Sequence, residues 1–216
     1  MGGGTWDTTR YTSRTSAKRA AGKDMFDYDS TVRSTGRWEV HPLLDPKSVN
    51  NDGEHKGQNI RESLDSDEHP DSLAIAVLFD VTGSMGGIPR VLQAKLPKLY
   101  GLLLEKGYVE HPQVLYGAIG DATVDRVPLQ ISQFESDNRA DEALECIVLE
   151  GGGGGQVHES YELGAYFMAR HTYIDCFEKR GKKGYLFFIG DERNYPNVDP
   201  RHVNELIGDT LQEGMT

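Results

Sequence analysis

Asp80, Thr82 and Ser84 stand at alternate positions of the segment Asp80-Val81-Thr82-Gly83-Ser84-Met85-Gly86-Gly87. On a tight loop, one carboxylate and two hydroxyls so spaced can all face one point. Hard oxygens converging on a point suit Mg²⁺, which takes near-octahedral oxygen ligation and keeps several waters. The same residue types also form turns whose side chains only cap the next helix. The flanking residues weigh between the two. Leu73 to Phe79 is a run of seven apolar residues, the pattern of a parallel strand covered on both faces. Pro89 then opens a helical pattern, as proline does in a first helical turn. The three oxygens therefore belong to the carboxyl end of a strand, where open α/β sheets bind ligands. That context favours a metal.

Two further apolar runs end in acids. Val114 to Ile119 is followed by Gly120-Asp121, and Tyr185 to Ile189 by Gly190-Asp191-Glu192. The helix between the first two strands makes them parallel by the crossover rule, which puts Asp121 at the same sheet end as Asp80. Asp121 suits an acceptor behind the metal ligands, a part of a further cation site, or a cap of the turn Ala122-Thr123. Five glycines, Gly151 to Gly155, lead into Gln156 and then Glu159. They read as a flexible loop; as a phosphate cradle they lack a following Lys-Ser/Thr.

The elements that position these residues can be set out along the chain. Residues 1–36 are rich in Gly, Ser, Thr, Lys and Arg, and predict a mobile or loosely packed arm. Its aromatics, Trp6, Tyr11, Phe26 and Tyr28, favour packing along its own domain or a partner over a nucleic-acid tail. A short strand is expected over Arg37 to Leu44, then a polar linker over 45–72, with the domain boundary near Ser72. Val91, Leu92, Leu96, Leu99, Leu102 and Leu103 mark an amphipathic helix, kinked at Pro97 and capped at Gly107. Val127 to Phe134 reads as a returning edge strand, Glu142 to Leu149 as a short helix, and Glu159 to Cys176 as a longer one. A final helix is expected over Arg201 to Leu211.

Composition narrows the classes. The chain has 216 residues, 37% hydrophobic and 26% charged, enough for one α/β domain with an extension. A net charge of -11 argues against general nucleic-acid binding. No run approaches the ~18 apolar residues of a membrane span. The opening MGGGTWDTTR has no signal-peptide core, and Trp6 breaks the myristoylation pattern. Cys146 and Cys176 have no metal-type spacing and read as reduced thiols of a cytoplasmic protein.

Asp80-Val81-Thr82-Gly83-Ser84 after an apolar strand resembles the D-x-[ST]-x-S signature of von Willebrand factor A domains, over about Leu73 to the C-terminus. The resemblance implies a Rossmann-like α/β fold, a mostly parallel sheet with helices on both faces. It also implies a metal-ion-dependent adhesion site for Mg²⁺ or Mn²⁺. Asp80, Thr82 and Ser84 match its first loop and Asp191 its third. Thr82 and Ser84 would bind the ion directly, with Asp80 and Asp191 acting partly through water. The second loop departs from the family, because Gln156 stands where a threonine normally follows the glycines. Gln156, Glu159 or water would fill that place. The implied function is a protein–protein interaction module of intracellular bacterial or phage type, whose ion takes an Asp or Glu carboxylate from a partner. A MoxR-type AAA+ ATPase is the partner the resemblance suggests. Family members continue with two more strand–helix units, so the expectation is a fragment of a longer protein, or a partner that supplies the missing strands.

The same residues also resemble the D-x-T-G-T of haloacid-dehalogenase phosphotransferases, with Asp80 as nucleophile and Asp191 as Mg²⁺ acid. The lysine that class needs has no clear match, since Lys182 and Lys183 sit too near the strand. Ser84 fits a hydrolase elbow less well, with Thr82 in place of glycine. His158-Glu159 is not part of H-E-x-x-H, and His171 reads as an ordinary helix residue. A scaffold with an empty site is the remaining alternative.

Overall fold

The computed structural model describes residues 4–23, 26–151 and 157–211. In chain order these carry α1 (Thr8–Ala20), α2 (Asp27–Thr35), β1 (Arg61–Ser63), β2 (Leu73–Asp80), α3 (Ile88–Glu105), β3 (Pro112–Ile119) and β4 (Leu129–Ile131). There follow α4 (Arg139–Glu145), β5 (His158–Glu159), α5 (Tyr161–Arg170), β6 (Thr172–Ile174), α6 (Asp175–Glu178), β7 (Tyr185–Ile189), β8 (Arg193–Asn194) and α7 (Pro200–Leu206). The protein is a mixed α/β structure with small, mostly parallel sheets.

The central sheet has the order β4-β3-β2-β7. Its three apolar runs, β2, β3 and β7, are parallel, and β4 returns antiparallel at the edge. Every residue of β2 and β3 is buried, as a near-continuous apolar run requires of a strand covered on both sides. Alternation sorts the side chains. Ile75, Val77, Phe79, Val114 and Tyr116 face a layer built from Leu96 and Tyr100 of α3, Ala140 and Leu144 of α4, and Phe26 and Leu44. Ala74, Ala76, Leu78, Leu115 and Ile119 face Leu163, Tyr166 and Phe167 of α5, with Val203 and Ile207 beyond. Gly164 lets α5 come this close: a Cβ there would lie 2.7 Å from Ile119. Two short parallel pairs, β1 with β6 and β5 with β8, flank the main sheet.

Several elements differ from the sequence expectation. The predicted helix 159–176 is broken: α5 stops at Arg170, and Thr172-Tyr173-Ile174 pair with β1 instead. β-branched and aromatic residues at that point prefer a ladder to a helix. The expected strand over Arg37 to Leu44 does not form, although Leu44 is fully buried and its carbonyl accepts from the Ile131 amide at 2.7 Å. The short helix lies at 139–145 rather than 142–149, because Ile147, Val148 and Leu149 are core residues in extended chain. β4 and α7 are both shorter than expected.

The N-terminal residues carry two helices. α1 buries no residue; it is held to α4 by Arg10–Glu142 at 2.8 Å, Lys18–Glu145 at 2.5 Å and the pair Arg14–Asp141. Trp6 stacks on Tyr100 with ring centroids 4.9 Å apart. Phe26 and Leu44 share the core with β2, so residues on both sides of Ser72 build one interior. No helix among the described residues is long and apolar enough to cross a membrane.

Within the central sheet β7 is the exception to burial. Tyr185, Leu186, Phe187 and Phe188 are 54, 41, 50 and 40% exposed.

Candidate functional site

The strand order reverses at β2: the chain steps from β2 to β3 on one side and later lays β7 on the other. Asp80 ends the strand at that switch point, where ligand crevices form. Its carboxylate is fully buried. Oδ1 accepts from the Thr82 amide at 2.8 Å and the Thr82 hydroxyl at 2.6 Å. Oδ2 accepts from the Tyr161 hydroxyl at 2.9 Å. Tyr161 opens α5, and its hydroxyl fits against the backbone only because residue 190 is glycine: a Cβ there would lie 1.9 Å from that oxygen.

The chain of oxygens runs outward from Asp80. The Thr82 and Ser84 hydroxyls are 3.1 Å apart, and Ser84 donates to Asp191 Oδ1 at 3.1 Å. Asp80 and Thr82 are buried, Ser84 and Asp191 exposed. The four residues singled out by the D-x-T-x-S pattern and the β7 acid thus form one connected group, graded from interior to solvent.

Glu159 joins it from β5. Its side chain is buried, and Oε2 has no hydrogen-bond partner. Burial pushes its pKa up to about 8, and the negative charge of Asp80 adds to the shift; a hydrogen bond from Thr82 offsets only part of it. Burial likewise raises Tyr161, which suits it to remain a donor to Asp80.

Asp121 lies one strand over and is not part of this chain of bonds. Its Oδ1 accepts from the Thr123 amide at 2.8 Å and hydroxyl at 2.7 Å, so it caps the turn, and the Tyr195 hydroxyl lies 3.1 Å from both oxygens. Asp125 folds back to accept from the Asp121 amide at 2.7 Å. Burial raises Asp125 to about 6, with Glu150, Asp121 and Asp80 adding to the shift. Gln156 lies outside the described residues. Lys182 and Lys183 precede β7, at the opposite end of the strand from Asp191 and roughly 25–30 Å away by strand rise.

Reading the residues in isolation missed Tyr161, Asp125 and Tyr195. For Asp125 a signal was present: Asp121-Ala122-Thr123-Val124-Asp125 repeats the spacing of Asp80-Val81-Thr82-Gly83-Ser84. Tyr161 and Tyr195 arrive from elements distant in sequence, and nothing local marks them.

The donor set fits a hard divalent cation. It consists of oxygens only, it includes an orphaned buried carboxylate atom, and the Thr82 and Ser84 hydroxyls, with two protons, make three contacts to each other and to Asp80 and Asp191. Among the described residues no Lys, Arg or His pairs with Asp80, Glu159 or Asp191. Nor do any three His, Cys, Asp or Glu side chains there converge as a metal group. An ion at Asp80 would therefore have to be shared with the hydroxyls of Thr82 and Ser84. In comparisons with protein-family models, curated proteins and solved structures, nothing matches the chain.

Proposed function

We propose that the protein is a metal-dependent interaction module with a Rossmann-like fold of von Willebrand factor A type. Thr82 and Ser84 hold Mg²⁺ or Mn²⁺ directly, and Asp80 and Asp191 balance its charge, partly through water. Burial, and then the charge of Asp80, favour the protonated form of Glu159, and a cation bound beside it would favour the carboxylate. The exposed side of the ion, between Ser84 and Asp191, takes an Asp or Glu carboxylate from a partner protein. A MoxR-type AAA+ ATPase is the partner class the resemblance suggests.

One observation carries this reading: Asp80, Thr82, Ser84 and Asp191 form an unbroken chain of oxygens 2.6–3.1 Å apart, open to solvent at one end. An acid-and-hydroxyl turn that merely caps a helix would close on backbone amides and would not extend to a second strand.

The test is calorimetric titration of Mg²⁺ and Mn²⁺ into the wild type and Asp80→Ala. Binding by the wild type that the substitution abolishes is the expected result. Silence from the wild type would remove the metal from the proposal. Phosphate release from a phosphoester, lost in Asp80→Asn, would replace interaction with phosphotransfer.

A further inference from the structure

At the end of the central sheet opposite Asp80, two imidazoles meet. His111 directly precedes β3, and its carbonyl accepts from the amide of Leu73, the first residue of β2, at 2.9 Å. His69 closes a four-residue turn: its amide donates to the Ser66 carbonyl and its carbonyl accepts from the Ser66 amide, both at 3.1 Å. Both rings therefore hang from backbone that a strand end or a closed turn holds. His69 is buried and His111 half-buried. Their Nδ1 atoms lie 3.3 Å apart.

The far side of the His69 ring fixes its tautomer. Nε2 is 2.6 Å from the carbonyl oxygen of Gly4, which can only accept, so the ring keeps a proton on Nε2 and turns a bare lone pair on Nδ1 toward His111. The Ser136 hydroxyl donates to the same carbonyl at 2.7 Å. Residue 4 has to be glycine for this approach, because a Cβ there would lie 2.2 Å from an Asp137 oxygen.

We propose that His69 and His111 form a Zn²⁺ site, in which both rings bind the ion through Nδ1 and water completes the shell. Zinc–nitrogen bonds of about 2.0–2.1 Å at a tetrahedral angle set two ligand nitrogens about 3.3–3.4 Å apart. The observed separation matches that spacing. A ligating imidazole also characteristically donates its second N–H to a carbonyl or carboxylate, which orients the ring, and Gly4 supplies that acceptor. Without the ion, the neutral rings share the His111 proton between the two Nδ1 atoms. Binding moves that proton to Nε2 of His111, so the exchange needs no net proton release. No third His, Cys, Asp or Glu joins the pair among the described residues, which makes this a two-ligand site. It is also separate from the oxygen site in kind and in place. Imidazole suits zinc where carboxylates and hydroxyls suit magnesium, and the eight residues of β2 put about 23 Å between the two.

The test is calorimetric titration of Zn²⁺ into the full, untagged chain at about pH 7.5, above the ordinary imidazole range, with excess Mg²⁺ present. The wild type, His69→Gln, His111→Gln, the double variant and Asp80→Ala are compared. A single ion is expected to bind the wild type and Asp80→Ala alike. Each single histidine variant should weaken it by about a hundredfold, because a chelate is lost when either ring goes. The double variant should be no worse than either single one. Imidazole ¹⁵N spectra of the wild type give an answer that does not depend on how the variants fold: Zn²⁺ should shift Nδ1 of His69 and His111 and leave the His69 Nε2 protonated. A wild type that takes up no zinc, single losses that add in the double variant, binding abolished by Asp80→Ala, or shifts confined to other histidines would each overturn the proposal.

Discussion

Adjacent strands β2 and β3 end in the same turn, built twice. After each, an aspartate Oδ1 accepts from the amide of the threonine two residues on, at 2.8 Å in both loops, and from that threonine's hydroxyl, at 2.6 Å and 2.7 Å. In each, a tyrosine from a distant element adds its hydroxyl: Tyr161 to Asp80, Tyr195 to Asp121. The loops part company at the fifth residue. Asp125 is long enough to fold back onto the Asp121 amide, which closes its loop into a cap. Ser84 is short, bonds outward to Asp191, and leaves its loop open. An identical turn is thus closed or left open to solvent according to one side chain and whether it returns to the backbone.

The sharpest way to break this comparison is to neutralise each aspartate without changing its shape. Asp80→Asn is expected to weaken Mg²⁺ binding by at least a hundredfold, ~2.7 kcal/mol. Asp121→Asn should leave it within about threefold, since effects of groups that share no partner are nearly independent. Calorimetry on both variants decides. Equal losses would show that the two loops hold one ion between them, and the distinction between open and closed would fail.

Titration separates the loops next. Asp125, in the closed loop, is raised from 3.8 to about 6, and Glu159, over the open one, from 4.5 to about 8. Both carboxyls bind protons more tightly folded than unfolded. Their contribution to stability is therefore fully present below about pH 4 and is lost as pH rises through 6 and then 8. Carboxyl carbon shifts followed by NMR should show two such midpoints. Saturating Mg²⁺ should pull the Glu159 midpoint down and leave that of Asp125 in place. Movement of both would mean that the ion is not confined to the open loop.

The parts of this arrangement were unequally visible in the sequence. β2 and β3 are near-continuous apolar runs, and burial on two faces leaves few other residues for such strands; β7 was legible from the same kind of run, although its side chains are exposed. α3 showed its apolar stripe, and Pro89 its start. The first loop was legible because three oxygens at alternate positions follow a strand directly. α1 was not, since Thr-Thr-Arg-Tyr-Thr-Ser-Arg-Thr-Ser-Ala-Lys-Arg-Ala has no apolar face. Its contacts with α4 are ion pairs to Asp141, Glu142 and Glu145, residues more than a hundred positions away. Periodicity detects burial, and α1 buries nothing. The break after Arg170 was hidden for a related reason: Thr172 to Ile174 continue a helical pattern acceptably, and only the presence of β1 makes a strand of them. Glu159 was visible as a residue but not as a buried carboxylate beside Asp80, because its burial depends on how β5 is laid against the ends of β2 and β3.

The tyrosines test the comparison at its finest grain. Asp80 is fully buried and Tyr161 is the donor to its Oδ2. Tyr161→Phe leaves that oxygen charged and unpaired, which should cost about 1–3 kcal/mol in urea denaturation. Tyr195 also donates to its aspartate, but it divides one hydroxyl between both Asp121 oxygens at 3.1 Å, against the single 2.9 Å bond from Tyr161. Tyr195→Phe should therefore cost less than Tyr161→Phe, about 1 kcal/mol. Magnesium distinguishes the two further. If a cation sits beside Asp80, it replaces the lost donor, and the Tyr161→Phe deficit should shrink as Mg²⁺ is added. The Tyr195→Phe deficit should not change, because Asp125 closes that loop on the Asp121 amide and keeps it from opening toward the ion. A Tyr161→Phe deficit that Mg²⁺ leaves untouched would place the ion away from Asp80, and the open loop would then be a cap like its neighbour.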